Sequence, residues 1–147
     1  MTLQVMRRVG AMAILVMGAV HFQQYLGAYQ FIPTIGPLFL LNAIGSAVIA
    51  LGLLLPLERW LRERRGEVAV GLLALGGVAT ALGALGSLYI AETATLFGFS
   101  EGTLDTVMWV AIVSEAVAVA LLAPVAVANL VGVSATKTTG DPRAARS

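Results

Sequence analysis

Residues 106–131 read TVMWVAIVSEAVAVALLAPVAVANLV, an apolar run broken by a single ionisable side chain, Glu115. At about 1.5 Å of rise per residue, a helix over this stretch crosses the roughly 30 Å hydrocarbon core of a bilayer. Residues 9–29, 35–57 and 68–91 have the same character. The whole chain agrees with them: 59% of its 147 residues are hydrophobic and 12% are charged, where a soluble domain carries about 25% charge. Mean hydropathy is +0.90. The runs do not alternate with a period of two, and they far exceed the ten or so residues of a barrel strand. The sequence therefore predicts an all-α fold, a four-transmembrane-helix bundle over residues 1–132. Residues 133–147, rich in Ser, Ala, Thr and Gly with Pro142, lack an apolar period and read as a disordered tail.

The basic residues orient the bundle. Arg7 and Arg8 precede the first span, Arg59, Arg62, Arg64 and Arg65 fill the second connection, and Lys137, Arg143 and Arg146 lie in the tail. All nine thus fall on one side. Short cytoplasmic loops collect Lys and Arg, so both termini are expected in the cytoplasm and the protein in the inner (plasma) membrane. The opposite side carries Glu92, Glu101 and Asp105. A bias this consistent argues against dual topology, and a net charge of +1 gives no reason to invoke nucleic acid as a partner. Two arginines before an apolar stretch could open a secretory signal, but no small-residue cleavage site is evident and His21, Gln23 and Gln24 follow, which fits an uncleaved anchor.

Within the connections, Ile32-Pro33-Thr34-Ile35-Gly36-Pro37 forbids a helix through the first turn, and Pro37 suits the first turn of the second span. The connection from Glu58 to Glu67, with Trp60 and four arginines, reads as a topology anchor or as a lipid-recognising surface. The third span carries two ladders of small residues, Gly76, Thr80, Ala84 and Ala79, Gly83, Ser87, which suit close packing inside the bundle or a homodimer. Tyr25, Tyr29, Phe31, Tyr89, Phe97, Phe99 and Trp109 gather at the outer ends of the spans as an aromatic belt. Leu96-Phe97-Gly98-Phe99 reads as an interfacial anchor or a lid, and Pro124 should bend the fourth helix.

Polar groups inside the spans are few and costly, and so are candidates for function. Counting residues from the ends puts His21 about 10 Å and Glu115 about 13 Å below the outer boundary of the core, with Asn42 at a similar level. Gln24, Tyr25 and Ser87 lie at or just above that layer. Gly18, His21, Gln24, Tyr25 and Tyr29 share one helix face by three- and four-residue steps, while Ala111 and Ala118 flank Glu115. The expected ligand or proton site is therefore His21, Gln24, Tyr25, Asn42, Ser87 and Glu115, with His21 and Glu115 as a pair titrating as a unit. The alternative is that these groups only tie helices together by hydrogen bonds.

Chemistry is narrowed mainly by what is missing. The chain has no cysteine and one histidine, which excludes disulfide exchange and thiol-held clusters. A single His with one or two carboxylates falls short of the usual metal ligand set, and a bis-histidine haem would need a second copy. No catalytic residue, metal or cofactor is assigned. Three readings remain: an accessory subunit of a larger membrane complex with a polar pocket, a proton-coupled small-solute transporter acting as a dimer, and a quinone-linked redox accessory protein. The lipid bilayer is the expected partner, together with a homodimer, which the transporter reading requires, or a larger membrane complex.

The runs His21-Phe22-Gln23-Gln24-Tyr25, Ile32-Pro33-Thr34-Ile35-Gly36-Pro37-Leu38-Phe39-Leu40-Leu41-Asn42 and Leu96-Phe97-Gly98-Phe99-Ser100-Glu101, together with Glu115, resemble an uncharacterised family of small four-span bacterial integral membrane proteins. The resemblance covers nearly all of the chain but the tail. It implies a four-helix fold and no particular activity. DoxX-type membrane proteins are similar in size and span count only, and small multidrug-resistance pumps carry their membrane glutamate on the first span, where this chain has His21.

Overall fold

The computed structural model describes residues 1–27, 29–96 and 106–138, with side chains to residue 132. Four long helices, Leu3–Gly27 (α1), Ile35–Leu54 (α2), Glu63–Thr93 (α4) and Thr106–Thr138 (α5), carry the fold. A short 3-10 turn at Tyr29–Phe31 and the one-turn helix Leu57–Trp60 (α3) connect them. All four long helices are long and apolar enough to cross a membrane, as the sequence predicts. In hydrocarbon every backbone polar group must find its partner within the protein, and a helix achieves this within one segment.

The helices run alternately up and down. α1 packs against α2 and α5, and α4 against α5 and α2, so α1 and α4 sit on a diagonal. Their close approaches rest on small residues, because lipid offers no hydrophobic drive between helices and packing must supply the attraction. Leu122 of α5 is fully buried, and its side chain lodges between Gly10 of α1 and Gly77 of α4. A Cβ at those glycines would meet it at 2.6 and 2.8 Å, closer than van der Waals contact allows. Gly18 approaches Ser46 of α2 in the same manner. Ile14, Met17, Leu53, Val70 and Val125 complete this core, and the outward stripe Leu41, Ile44, Val48 and Leu51 faces the lipid.

Helix ends differ from the hydropathy limits where local chemistry intervenes. α1 starts at Leu3, so Arg7 and Arg8 lie inside it. Arg7 reaches across to the end of α2: Nε donates to the Leu53 carbonyl at 2.7 Å, Nη2 to that of Leu55 at 2.9 Å, and Nη1 pairs with Glu58. The guanidinium thereby satisfies carbonyls that the helix terminus leaves without intrahelical partners. α2 stops at Leu54 rather than 57, since Pro56 pushes Leu55 into extended backbone (φ −74°, ψ 148°). α4 starts at Glu63, a favourable first-turn anion, and not at 68. Its Gly66 lies against the backbone of Glu58, leaving no room for a side chain. α5 continues through Pro124 to Thr138, beyond the 132/133 boundary drawn for the tail. Residues 97–105, which include Phe97, Phe99, Glu101 and Asp105, and residues 139–147 of the tail lie outside the described residues.

Two sequence expectations change. The fully buried small residues of α4 are Ala74, Gly77 and Ala81; of the two ladders expected, Gly76, Thr80 and Ala84 are half-buried toward α2 and the cavity, whereas Ala79, Gly83 and Ser87 are exposed. Tyr29 does not belong to an outer belt but is buried, its ring stacked on Phe39 at 4.5 Å between centroids. Phe31, Tyr89 and Trp109 are exposed, as a belt requires.

Truncating Leu122 to Ala leaves a void between three helices. The hydrocarbon-transfer part of the usual cost is absent in lipid, but the cavity part remains. Leu122→Ala should lower unfolding stability by about 2 kcal/mol, against less than about 0.5 for lipid-facing Val48→Ala. Unfolding by a denaturing detergent in mixed micelles measures both.

Candidate functional site

Away from Arg7 the bundle opens. α2 and α4 meet where Leu73 packs on Gly52 and where Ile49 lies near Gly76 and Gly77. Further along, a Cβ at Gly45 or Gly83 would meet nothing within 4 Å. The space between the helices there is a cavity of about 450 Å³, within the common range for small-molecule sites of about 300–1,000 Å³. Its walls are mostly apolar, and His21, Gln24, Asn42, Thr80, Ser87 and Glu115 supply the polar groups.

The roof is set by an unusual turn. Ile35 N–H donates to the Pro33 carbonyl at 2.9 Å, closing a γ-turn around Thr34 with φ 70° and ψ −48°. A non-glycine residue in that region costs on the order of 1–3 kcal/mol and persists only where its surroundings hold it. Here the turn starts α2 so that Ile35, Leu38 and Phe39 face the cavity. Phe39 stands between two other rings, stacked on Tyr29 and tilted 38° to His21 with centroids 5.1 Å apart.

His21 is held by its own helix. The Met17 carbonyl, 2.9 Å from Nδ1, can only accept, so Nδ1 carries a proton and donates it there. That leaves Nε2 pointing across to α5, where Glu115 Oε1 lies 3.9 Å away. This separation is beyond a hydrogen bond and suits one intervening polar atom. The side chains are 12% and 3% exposed. Glu115 Oε2 is fully buried and has no hydrogen-bond partner among the described residues. A buried oxygen left unsatisfied costs about 1–3 kcal/mol, more if charged, so this layer is poorly explained as helix glue.

The other polar groups are partly committed. Asn42 accepts from Ser46 Oγ at 3.1 Å through Oδ1, and its amide nitrogen has no partner among the described residues. Thr80 and Ser87 donate to Gly76 and Gly83 of their own helix, and Ser114 to Ala111. Five of the six expected residues, His21, Gln24, Asn42, Ser87 and Glu115, line one cavity. Tyr25 does not: it lines a second groove with Gln30, Pro37, Leu40, Leu41 and Ile44, of which Leu41 also borders the cavity. Phe39 and Thr80 were not singled out as site residues from sequence, and only their helical spacing from Asn42 and Ser87 could have indicated them. Among the described residues no three His, Cys, Asp or Glu side chains converge.

Compared with protein-family models, curated proteins and solved structures, the chain gives no significant match.

If Glu115 were a structural tie, an apolar replacement of equal length would weaken the bundle. An unpaired buried carboxyl predicts the opposite sign. Glu115→Met should leave the ligand-free protein as stable or raise its stability by about 1–3 kcal/mol, and thermal unfolding in detergent reads the difference.

Proposed function

We propose that this chain is a small multi-pass protein of the bacterial plasma (inner) membrane, with cytoplasmic termini, that binds a small ligand in the outer half of its bundle. In this reading His21 and Glu115 hold the ligand's polar end, and the protein serves as an accessory subunit of a larger membrane complex or works as a homodimer within the bilayer. The observation that carries it is the gap of 3.9 Å between His21 Nε2 and Glu115 Oε1 on the wall of a cavity, too long for a direct hydrogen bond and open to a bridging polar group. Buried polar groups that face each other without bonding call for an explanation such as a bridging molecule or a functional role. The clustering of Arg7, Arg8 and the arginines of the second connection supports the cytoplasmic placement of that end.

A proton-coupled transporter would use the same pair but would also need a path to the arginine side. There Ile14, Met17, Leu53 and Leu122 are fully buried against one another, so that function would require a second packing of the core. The ligand-binding reading needs no such change.

Gentle extraction into lipid nanodiscs followed by native mass spectrometry provides the test. The wild-type chain should retain a small bound molecule that Glu115→Met and His21→Ala lose while keeping their helical circular dichroism. Wild type and variants carrying the same bound mass, or none in either, would sink the proposal.

A further inference from the structure

The cavity's position decides how a ligand reaches it. Leu41, Gly83 and Ser87 lie on its rim and are exposed, Leu41 by 67%. All three belong to helices long and apolar enough to cross a membrane, six or more residues inside the ends of α2 and α4, so this part of the rim faces lipid. The missing Cβ atoms of Gly45 and Gly83 widen this fissure. A solute dissolved in water would have to cross hydrocarbon to enter by this side. A solute dissolved in the bilayer is already there.

The polar end of such a solute is constrained by the two facing groups. An oxygen placed about 2.8 Å from both His21 Nε2 and Glu115 Oε1 fits their 3.9 Å separation. A hydroxyl can donate to one and accept from the other, so it satisfies the pair whichever of the two holds the exchangeable proton. A ketone or ether only accepts and an ammonium only donates. Phe39, in contact with the Tyr29 and His21 rings, also lines the cavity beside this gap, and an aromatic side chain there favours edge-to-face or offset contact with another ring. The apolar remainder of the cavity accommodates the rest of the molecule, and a tail can pass outward between α2 and α4.

We propose that the cavity takes a neutral, lipid-soluble molecule bearing a hydroxylated ring, of phenol or quinol type, which enters from the bilayer between α2 and α4 and lodges its hydroxyl between His21 and Glu115. The inference rests on the ligand-binding reading and adds the ligand's chemistry and its route.

The full chain in lipid nanodiscs is titrated with 4-nonylphenol and with nonylbenzene, which lacks the hydroxyl, and binding is followed by thermal midpoint and native mass spectrometry. Wild type should bind the phenol at least tenfold more tightly, and Glu115→Met should abolish that preference. Gly45→Leu and Gly83→Leu, whose side chains enter open space, should fold normally and weaken phenol binding at least tenfold. Equal binding of the two probes overturns the hydroxyl assignment. Full phenol binding by both glycine variants overturns the lateral route while leaving the ligand-binding reading intact. Disulfide formation between copies through Gly83→Cys in most of the population assigns the fissure to a second copy and overturns the route as well. A phenol preference unchanged in Glu115→Met overturns the assignment to this pair.

Discussion

The lodging of Leu122 between Gly10 and Gly77 is the contact on which the rest of the bundle depends. In water, burying leucine anywhere would be favourable; in lipid it gains nothing by leaving the tails, so only close, shape-matched contact holds helices together. Two glycines on two different helices give α5 that contact. Gly18 against Ser46 and Gly52 against Leu73 repeat the device on α2. The Leu122 and Leu73 contacts lie in the half of the bundle that also carries Arg7, whose guanidinium ties α1 to the end of α2, and Gly18 meets Ser46 near the middle. Where they end, α2 and α4 diverge, and the cavity fills the space they leave. The cavity is thus a consequence of where small residues stop meeting large ones.

Against that frame the chemistry of the open half looks maintained rather than tolerated. A carboxyl buried without a partner works against stability, and a well-packed apolar side chain in its place would be neutral or better. His21 shows the complementary feature, since its hydrogen bond to Met17 fixes the ring and turns Nε2 to the cavity. The strained turn at Thr34 belongs to the same pattern, as it starts the helix that brings Phe39 against His21. Three unfavourable or constraining features thus converge on one cavity, and helix association alone requires none of them.

How much of this the sequence discloses depends on the physics of each level. Span number followed from composition and length, because hydrocarbon thickness leaves few ways to accommodate such runs. The depths of His21, Asn42 and Glu115 followed from counting along straight helices, and these residues do share a cavity. Facing was less legible. From His21, Gln24 lies about 60° to one side and Tyr25 about 40° to the other at 100° per residue; both belong to one face by spacing, yet Val20 and Gln24 border the cavity while Tyr25 is turned toward α2. The same ambiguity hid the packing ladder, where Ala74, Gly77 and Ala81 differ from the exposed Ala79, Gly83 and Ser87 only in which neighbour they meet. Helix ends escaped hydropathy for another reason: Pro56 and Arg7 act through backbone geometry and hydrogen bonding, to which an apolarity profile is blind.

The asymmetry between the two halves also bears on what kind of work the protein can do. A carrier alternates access, so both of its ends must be able to open at comparable free energy. Opening the arginine half here would withdraw Leu122 from its two glycines and expose Leu53 and Met17, with no differential contact in view to compensate. The other half needs no such rearrangement, because the cavity is already open there between α2 and α4 and the gap between His21 Nε2 and Glu115 Oε1 is unbridged. An architecture closed at one end and open sideways at the other favours equilibrium binding of a membrane-dissolved molecule over transport across the membrane. In the proposed binding mode, a ligand hydroxyl at Glu115 would recover part of a desolvation cost that the fold has already met.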